Sequence, residues 1–248
     1  MKAHGTVTKG SNLLLRVAAD QTRAAFACIA IVAVLIAALP ICAHAWSSGT
    51  DSAEMADTVA AFLEVKPGSV IAEVGAGHGY MAVRMAEKVG LGGRLYATEI
   101  DADDLAEISS RAGDDGLANV TVVKATDTET GLKAACCDAI FMTDVYHHFA
   151  DPIATDKSIF AALKPGGRLF ISDFYPTWIF SFWTTAAMRR NFGGHGVAEP
   201  LLVSQLTSVG FKVVEEIPGY PPKWPSGSYS VVLQKPAEPA GAQGVMAP

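Results

Sequence analysis

Four cysteines in 248 residues are too few for a disulfide framework, and two of them, Cys28 and Cys42, fall in an apolar run near the N-terminus. The other two, Cys136 and Cys137, are neighbours. That spacing rarely forms a bridge and lacks the separation of a metal knuckle, so the pair is expected as small residues entering a strand, and no metal site is expected. Charged residues make up only 18% of the chain while half of it is apolar, which excludes wholesale disorder. Positive charge is in deficit, 19 Lys and Arg against 25 Asp and Glu for a net charge of −6, so no nucleic-acid partner held by phosphate neutralisation is expected. The longest charge-free stretch begins at Ala24, and its apolar part runs to Ala45.

That stretch, "AAFACIAIVAVLIAALPICAHA", follows a basic start carrying Lys2, Lys9, Arg16 and Arg23 with a single acid, Asp20. Pro40 breaks a helix near its end, and Ala43-His44-Ala45 is a small-x-small cleavage pattern before Trp46. Residues 1–45 therefore read as a secretory signal peptide cleaved near Ala45, with an uncleaved membrane anchor as the alternative, since roughly 17–25 apolar residues can span a bilayer. No Lys or Arg occurs between Arg23 and Lys66, so both readings leave the remaining chain outside the cytoplasm, exported or anchored. Removing the leader takes away four basic residues and one acid, leaving 15 against 24 and a net charge of −9.

From Asp51 onward helix-like and strand-like segments alternate. "SAEMADTVAAFLEV" places Met55, Val59, Phe62 and Leu63 on one helical face, and "VIAEV" is a short β-branched run of the kind buried on both faces of a sheet. After a glycine loop come a helix, the strand "RLYATEI", a helix opened by acids, the strands "NVTVVKA" and "DAIFMTD", a helix closed by Pro-Gly-Gly and the strand "RLFISDF". A further helix, "EPLLVSQLTSVG", precedes "FKVVEEIP" and "SYSVVLQKP", which are joined only by a Pro/Gly-rich connection and should form a hairpin. The expected fold is α/β, a doubly wound seven-stranded, mostly parallel sheet with an antiparallel last strand, over residues 46–236. Residues 237–248 read as a disordered tail.

In such a sheet the ligand site lies beyond the carboxyl ends of the strands, where the strand order switches. The loop after the first strand carries Gly75, Gly77 and Gly79, and glycine suits a tight turn that must approach a ligand closely. The dinucleotide fingerprint fails, because its third glycine would fall on Tyr80, and no P-loop Lys-Ser/Thr follows. An acid, Glu99, ends the second strand, where it can accept hydrogen bonds from two ribose hydroxyls.

Four segments, "AEVGAGHGY", "LYATEID", "DAIFMTDVYHHFADP" and "LKPGGRLFISDF", resemble in their order the class I S-adenosylmethionine-dependent methyltransferases, and more loosely the quinone-biosynthesis enzymes of the small-molecule branch. The resemblance runs from about Ala53 to Pro236 and implies a Rossmann-like methyltransferase fold with S-adenosylmethionine as cofactor. It implies that Gly75, Gly77 and Gly79 let the methionine part lie against the backbone and that Glu73 orients its amino end. Glu99 becomes the ribose-binding acid, with Ile100 beside the adenine. Asp127 takes the position that reads the adenine amino group, and Asp144, ending the fourth strand, faces the transfer site. Two blander roles stand beside these: Glu73 bracing the loop, and Asp127 capping a turn. Asp101 reads as a helix N-cap and Asp138 as structural.

Methyl transfer from a sulfonium is an in-line displacement with a neutral leaving group, so alignment of the reactants dominates, and a base matters only if the acceptor must lose a proton. The catalytic candidates are Asp144, His147, His148 and His195, with Tyr146, Asp173 and Tyr175 near the expected pocket; packing is the alternative for the two adjacent histidines. The aromatic stretch 174–192, with Tyr175, Trp178, Phe182 and Trp183, reads as a lid over an apolar or aromatic small-molecule acceptor, as a core helix, or as a membrane contact ending in Arg189 and Arg190; the N-terminal segment is a second possible membrane contact. A protein or peptide methyltransferase, and a non-catalytic binding domain, are the readings from other classes. An open acidic groove would mark the first, and export favours the second, because the cofactor is made in the cytoplasm.

Overall fold

A computed structural model describes residues 53–176, 184–222 and 227–237. The chain divides into two units, 1–49 and 50–248. The first, with the expected leader and its Ala-His-Ala site, lies outside the described residues, as do Trp178, Phe182, Trp183 and all of the expected tail except Ala237.

The alternation in the sequence becomes an alternation in space. The helices are α1 (Ala53–Phe62), α2 (Tyr80–Val89), α3 (Ala102–Asp114), α4 (Pro152–Ala162), α5 (Ala186–Phe192) and α6 (Glu199–Val209). The strands are β1 (Val70–Val74), β2 (Arg94–Glu99), β3 (Val120–Lys124), β4 (Cys137–Thr143), β5 (Leu163–Phe174), β6 (Lys212–Pro218) and β7 (Ser228–Gln234). They form one sheet in the order β3-β2-β1-β4-β5-β7-β6. β7 enters between β5 and β6 and is antiparallel to both, while β1 to β5 pair in parallel. This is the expected doubly wound sheet with an antiparallel last strand.

Side chains along the inner strands alternate between two cores, as the period of two requires. Ile140 and Met142 of β4, Leu169 and Ile171 of β5 and Val231 and Leu233 of β7 face one side, where Ile159 of α4 and Leu202 and Leu206 of α6 cover them. Ala139 and Phe141, Phe170 and Val232 face the other, under Met55 and Val59 of α1, Met85 of α2 and Ile108 of α3. β6 at one edge is exposed along most of its length and carries Lys212, Glu215 and Glu216, charges that discourage pairing with another chain.

The caps follow the sequence. Asp101 accepts from the Asp103 and Asp104 amides at the start of α3, and Asp151 accepts from the Ala154 amide at the start of α4, each satisfying donors that the first helical turn leaves without partners. Asp138 holds two elements together: Oδ2 accepts from the Val70 amide at 2.8 Å and Oδ1 pairs with Lys164 Nζ at 2.6 Å. One expectation is corrected. Cys136 and Cys137 do enter β4, but the structure joins them in a disulfide between neighbours, in a segment that has just turned through positive φ at Ala135.

Candidate active site

The strand order reverses between β1 and β4, and a cleft of about 580 Å³ opens there at the carboxyl ends of the strands. Gly75, Gly77, Glu99, Ile100, Asp127, Asp144 and His148 line it, with Val145 and Phe149 as its apolar wall.

Its floor is the glycine loop. The amides of Gly75 and Ala76 both donate to the Thr98 carbonyl at 3.0 Å, which pins the loop to the end of β2. Gly75 has φ +69°, and a Cβ there would lie 2.6 Å from a Val145 methyl, so glycine is required twice over. Gly77 also has positive φ, but an added Cβ would meet nothing within 4 Å, so the backbone here lies open to a ligand. Gly79 does not line the cleft. It turns the chain into α2 at φ +81°, and its missing side chain admits Ile108 of α3. Arg111 braces the loop from outside, donating from Nε to the His78 carbonyl at 2.9 Å and stacking 3.8 Å from the centre of the Tyr80 ring.

Glu99 reaches back across the mouth of the cleft. Its Oε2 accepts from the Gly77 amide at 3.0 Å and its Oε1 from the Ile100 amide at 2.6 Å. A carboxylate has about four acceptor positions, so two remain for hydroxyls of a bound sugar. Ile100 beside it is 53% exposed, an apolar ledge on the cleft wall. Asp127 is exposed on the opposite rim. The turn next to it is capped by Thr126, whose Oγ1 accepts from the Glu129 amide at 3.1 Å, so the capping role considered for Asp127 belongs to Thr126. Glu73 lies within β1, 3% exposed, and does not line the cleft.

Asp144 follows β4 at φ +59°, a conformation that costs most residues about 1–3 kcal/mol and that Asp tolerates better than most. Its amide donates to the Ser172 carbonyl at 2.9 Å, which holds the bend and turns the chain into a single 3₁₀ turn, Tyr146–His148. Three candidates separate there. Tyr146 turns into the core and is no part of the cleft: its Oη lies 2.8 Å from Asp156 Oδ2 and 3.0 Å from Gln205 Oε1. His147 is buried, with Nδ1 at 2.8 and 3.1 Å from the two oxygens of Asp173. His148 emerges at the cleft.

Asp173 carries no exposed surface, and it also accepts from the Phe174 amide at 2.8 Å and the His147 amide at 3.3 Å. A buried carboxylate needs such partners, because an unpaired charge in the interior costs several kcal/mol. His195 comes from a separate loop, which is pinned by the Val197 amide on the Phe174 carbonyl (2.9 Å) and by Tyr229 Oη on the Val197 carbonyl (3.0 Å). Gly196, at φ +107°, brings that loop against β5; a Cβ there would stand 2.7 Å from the Phe174 carbonyl oxygen. The three imidazole rings thus gather, with centroids 4.2 Å apart for His147 and His148 and 4.8 Å for His147 and His195. His148 is exposed at the cleft, yet loss of water around its ring, then the two neighbouring imidazoles, lower its pKa; burial and His147 lower that of His195 as well. Both are neutral bases at pH 7. Tyr175 lies outside this cluster, its Oη donating to Glu199 Oε2 at 2.7 Å.

Sequence reasoning placed these histidines near one another but missed the role of Asp173, which appeared only as a pocket neighbour. The signal was available in principle, because Asp173 ends β5 next to β4, where the histidine turn begins.

Residues 72–171 match the family of the methyltransferase domain. Among characterised proteins, a protein-L-isoaspartate O-methyltransferase of Methanothermobacter thermautotrophicus is 29% identical over 146 residues, 56% of this chain and 64% of that protein. A ubiquinone/menaquinone biosynthesis C-methyltransferase of Vibrio parahaemolyticus is 28% identical over 110 residues, 44% of this chain and 42% of that one. The chain therefore spans less than two thirds of the length of either relative. A crystal structure of an S-adenosylmethionine-dependent methyltransferase from Aquifex aeolicus superposes with a TM-score of 0.59 at 20% identity, over 73% of this chain and 89% of that one, which shows the shared fold. The donor set fits the cofactor of these proteins: an open backbone at Gly77, a carboxylate with acceptor positions to spare at Glu99 and an apolar ledge at Ile100. The domain match over residues 72–171 and the shared fold agree with the resemblance to class I S-adenosylmethionine-dependent methyltransferases read from the sequence.

Proposed function

We propose that this protein transfers a methyl group from S-adenosylmethionine to a small apolar or aromatic acceptor. When bound, the cofactor supplies a methyl group activated on a sulfonium. The observation that carries the reading is the Glu99 carboxylate in the cleft, held by the Gly77 amide beside a glycine whose added Cβ would meet nothing. Glu99 would hold the sugar hydroxyls, Ile100 would lie along the base, and Asp127 would accept from its amino group.

The acceptor side is supported by Val145 and Phe149, which line the cleft beside Asp144 and His148. This apolar wall suits a small organic molecule, whereas the acids Glu99, Asp101, Asp104, Asp127, Glu129 and Asp144, which also line the cleft, are the feature expected of a protein methyltransferase. His148, neutral at pH 7 and lining the cleft, is the group placed to take a proton from a phenol, an enol-like carbon acid or an amine. Asp144 would position the acceptor, and His147 and His195 stand behind His148.

A second reading, methylation of a protein, has a specific observation in its favour, since one of the two relatives is by name a protein methyltransferase. Export of the domain remains part of the proposal, supported by the basic start and apolar run of residues 1–45 and compatible with a bonded Cys136–Cys137 pair.

Calorimetric titration of the full chain with S-adenosylmethionine and with its demethylated product tests the cofactor site. Saturable binding of both is expected, and no heat at millimolar ligand would end the reading. A screen of phenolic and quinol-like molecules against a set of peptides, followed by mass spectrometry, then separates the acceptors.

A further inference from the structure

We propose that His147, His148 and His195 form a three-histidine site for a divalent transition-metal ion of the zinc class, next to the cofactor cleft. One ring nitrogen from each residue lies within 4.8 Å of those of the other two. Zinc bonded to imidazole at about 2.0–2.1 Å in a tetrahedral site needs its nitrogens roughly 3.4 Å apart, so side-chain rotations that draw them in by about 1.5 Å complete the geometry.

His147 supplies the strongest indication. Its Nδ1 is engaged by Asp173, and Asp173 accepts from backbone amides as well, so the carboxylate is fixed before any ligand arrives. A histidine engaged at Nδ1 by a carboxylate has its Nε2 left for a second partner. In His147 that Nε2 is buried without a hydrogen-bond partner. A buried ring nitrogen left in this state is unfavourable, and a metal ion bound there would give it a partner. Carboxylate, histidine and metal in this sequence are the usual outer support of a zinc ligand, orienting the ring and raising its basicity.

The other two ligands are His148 and His195. They approach His147 from different parts of the chain, one following it in the 3₁₀ turn and the other from the loop held by Gly196. Mere aromatic packing on Phe174 accounts for the ring distances but leaves the inward Nε2 of His147 without a function. Three histidine ligands leave a fourth zinc position open, and His148 carries the site to the cleft. An acceptor hydroxyl or thiol in that position would lose its proton more readily beside the ion. This last role rests on the methyltransferase reading; the metal site does not.

The test uses the full chain after dialysis against a chelator. Zn²⁺ is titrated in competition with a chromophoric chelator, and Co²⁺ is added separately to read its visible absorption. One equivalent of Zn²⁺ per chain and a tetrahedral Co²⁺ spectrum are expected. His148→Ala and His195→Ala, which remove less buried side chains than His147, should each weaken Zn²⁺ binding at least 100-fold, and Asp173→Asn about 10- to 100-fold. Absence of stoichiometric Zn²⁺ binding, or affinity unchanged in both His148→Ala and His195→Ala, overturns the site. Cofactor titration of the same samples is read separately, so loss of the metal site with retained S-adenosylmethionine binding leaves the methyltransferase reading standing.

Discussion

Glu99 and Gly77, both lining the cleft, are joined by a 3.0 Å hydrogen bond from the Gly77 amide to Glu99 Oε2. The bond joins the end of β2 to the glycine loop after β1, so one side chain both shapes the loop and presents acceptors to a ligand. Glu99→Ala is therefore expected to weaken S-adenosylmethionine binding by about 1–3 kcal/mol, roughly a 5- to 150-fold rise in Kd, as for a lost charged hydrogen bond. Asp127→Ala, at the exposed rim, should cost no more than about 1 kcal/mol. Calorimetric titration of both variants checks this, and an unchanged affinity for Glu99→Ala would remove Glu99 from the site.

Gly75 and Val145 make a second expectation sharp. Alanine at position 75 must adopt φ +69° and push its Cβ into the Val145 methyls. The backbone term costs about 1–2 kcal/mol and the overpacking about 1–3 kcal/mol. Urea unfolding of Gly75→Ala should show a loss of about 2–5 kcal/mol. Adding Val145→Ala relieves the clash but not the backbone strain, so the double variant should be less destabilised than the sum of the two single ones.

The parts of this site legible in the sequence are those carried by neighbours along the chain. The glycine loop, the acid at the end of β2 and the N-cap at Asp101 each declare themselves within a few residues, because turn and cap chemistry is local. The doubly wound order was legible for the same reason: hydrophobic period and breakers set each element, and connection rules restrict the rest. What escaped depends on contacts between distant segments. Tyr146 stands in the same tripeptide as two histidines, yet only the packing of α4 and α6 decides that it turns inward to Asp156 and Gln205. Asp173 becomes the partner of His147 only once β5 has paired with β4. The Cys136–Cys137 bond contradicts a spacing argument that holds for most adjacent cysteines.

The proposed leader gives a prediction independent of the cleft. Lys2, Lys9, Arg16 and Arg23 all precede the apolar run, and no basic residue follows until Lys66. A reporter enzyme that is active only outside the cytoplasm, fused after Pro248, should be active, and its size should fall by that of residues 1–45 when the leader is cleaved. Activity of a cytoplasm-only reporter at the same position would overturn the export reading.

Asp156 and Tyr146 lead to a dependence of stability on pH. Burial, and to a smaller degree Asp151, raise the Asp156 pKa to about 7 against 3.8 in an open chain, although the hydrogen bond from Tyr146 works the other way. Hydrogen-bond counting agrees that the acid is neutral. Tyr146 has one proton for two acceptors, Asp156 Oδ2 and Gln205 Oε1, and burial keeps that proton on the tyrosine. If Asp156 carries its own proton on Oδ2, it donates to Tyr146 and Tyr146 donates to Gln205, so each of the two contacts has its own proton. The folded state then holds one proton more than the unfolded state between about pH 4 and pH 7, and stability falls with rising pH across that window. The stabilisation is complete below pH 4 and gone above pH 7, about 4 kcal/mol at most for a shift of this size. Asp156→Asn keeps a donor for Tyr146 and has no proton to lose. Urea unfolding at pH 4.5, 6 and 8 should show the variant gaining on the wild type at each step and exceeding it at pH 8. A constant difference across the three values would mean that Asp156 is ionised in the fold.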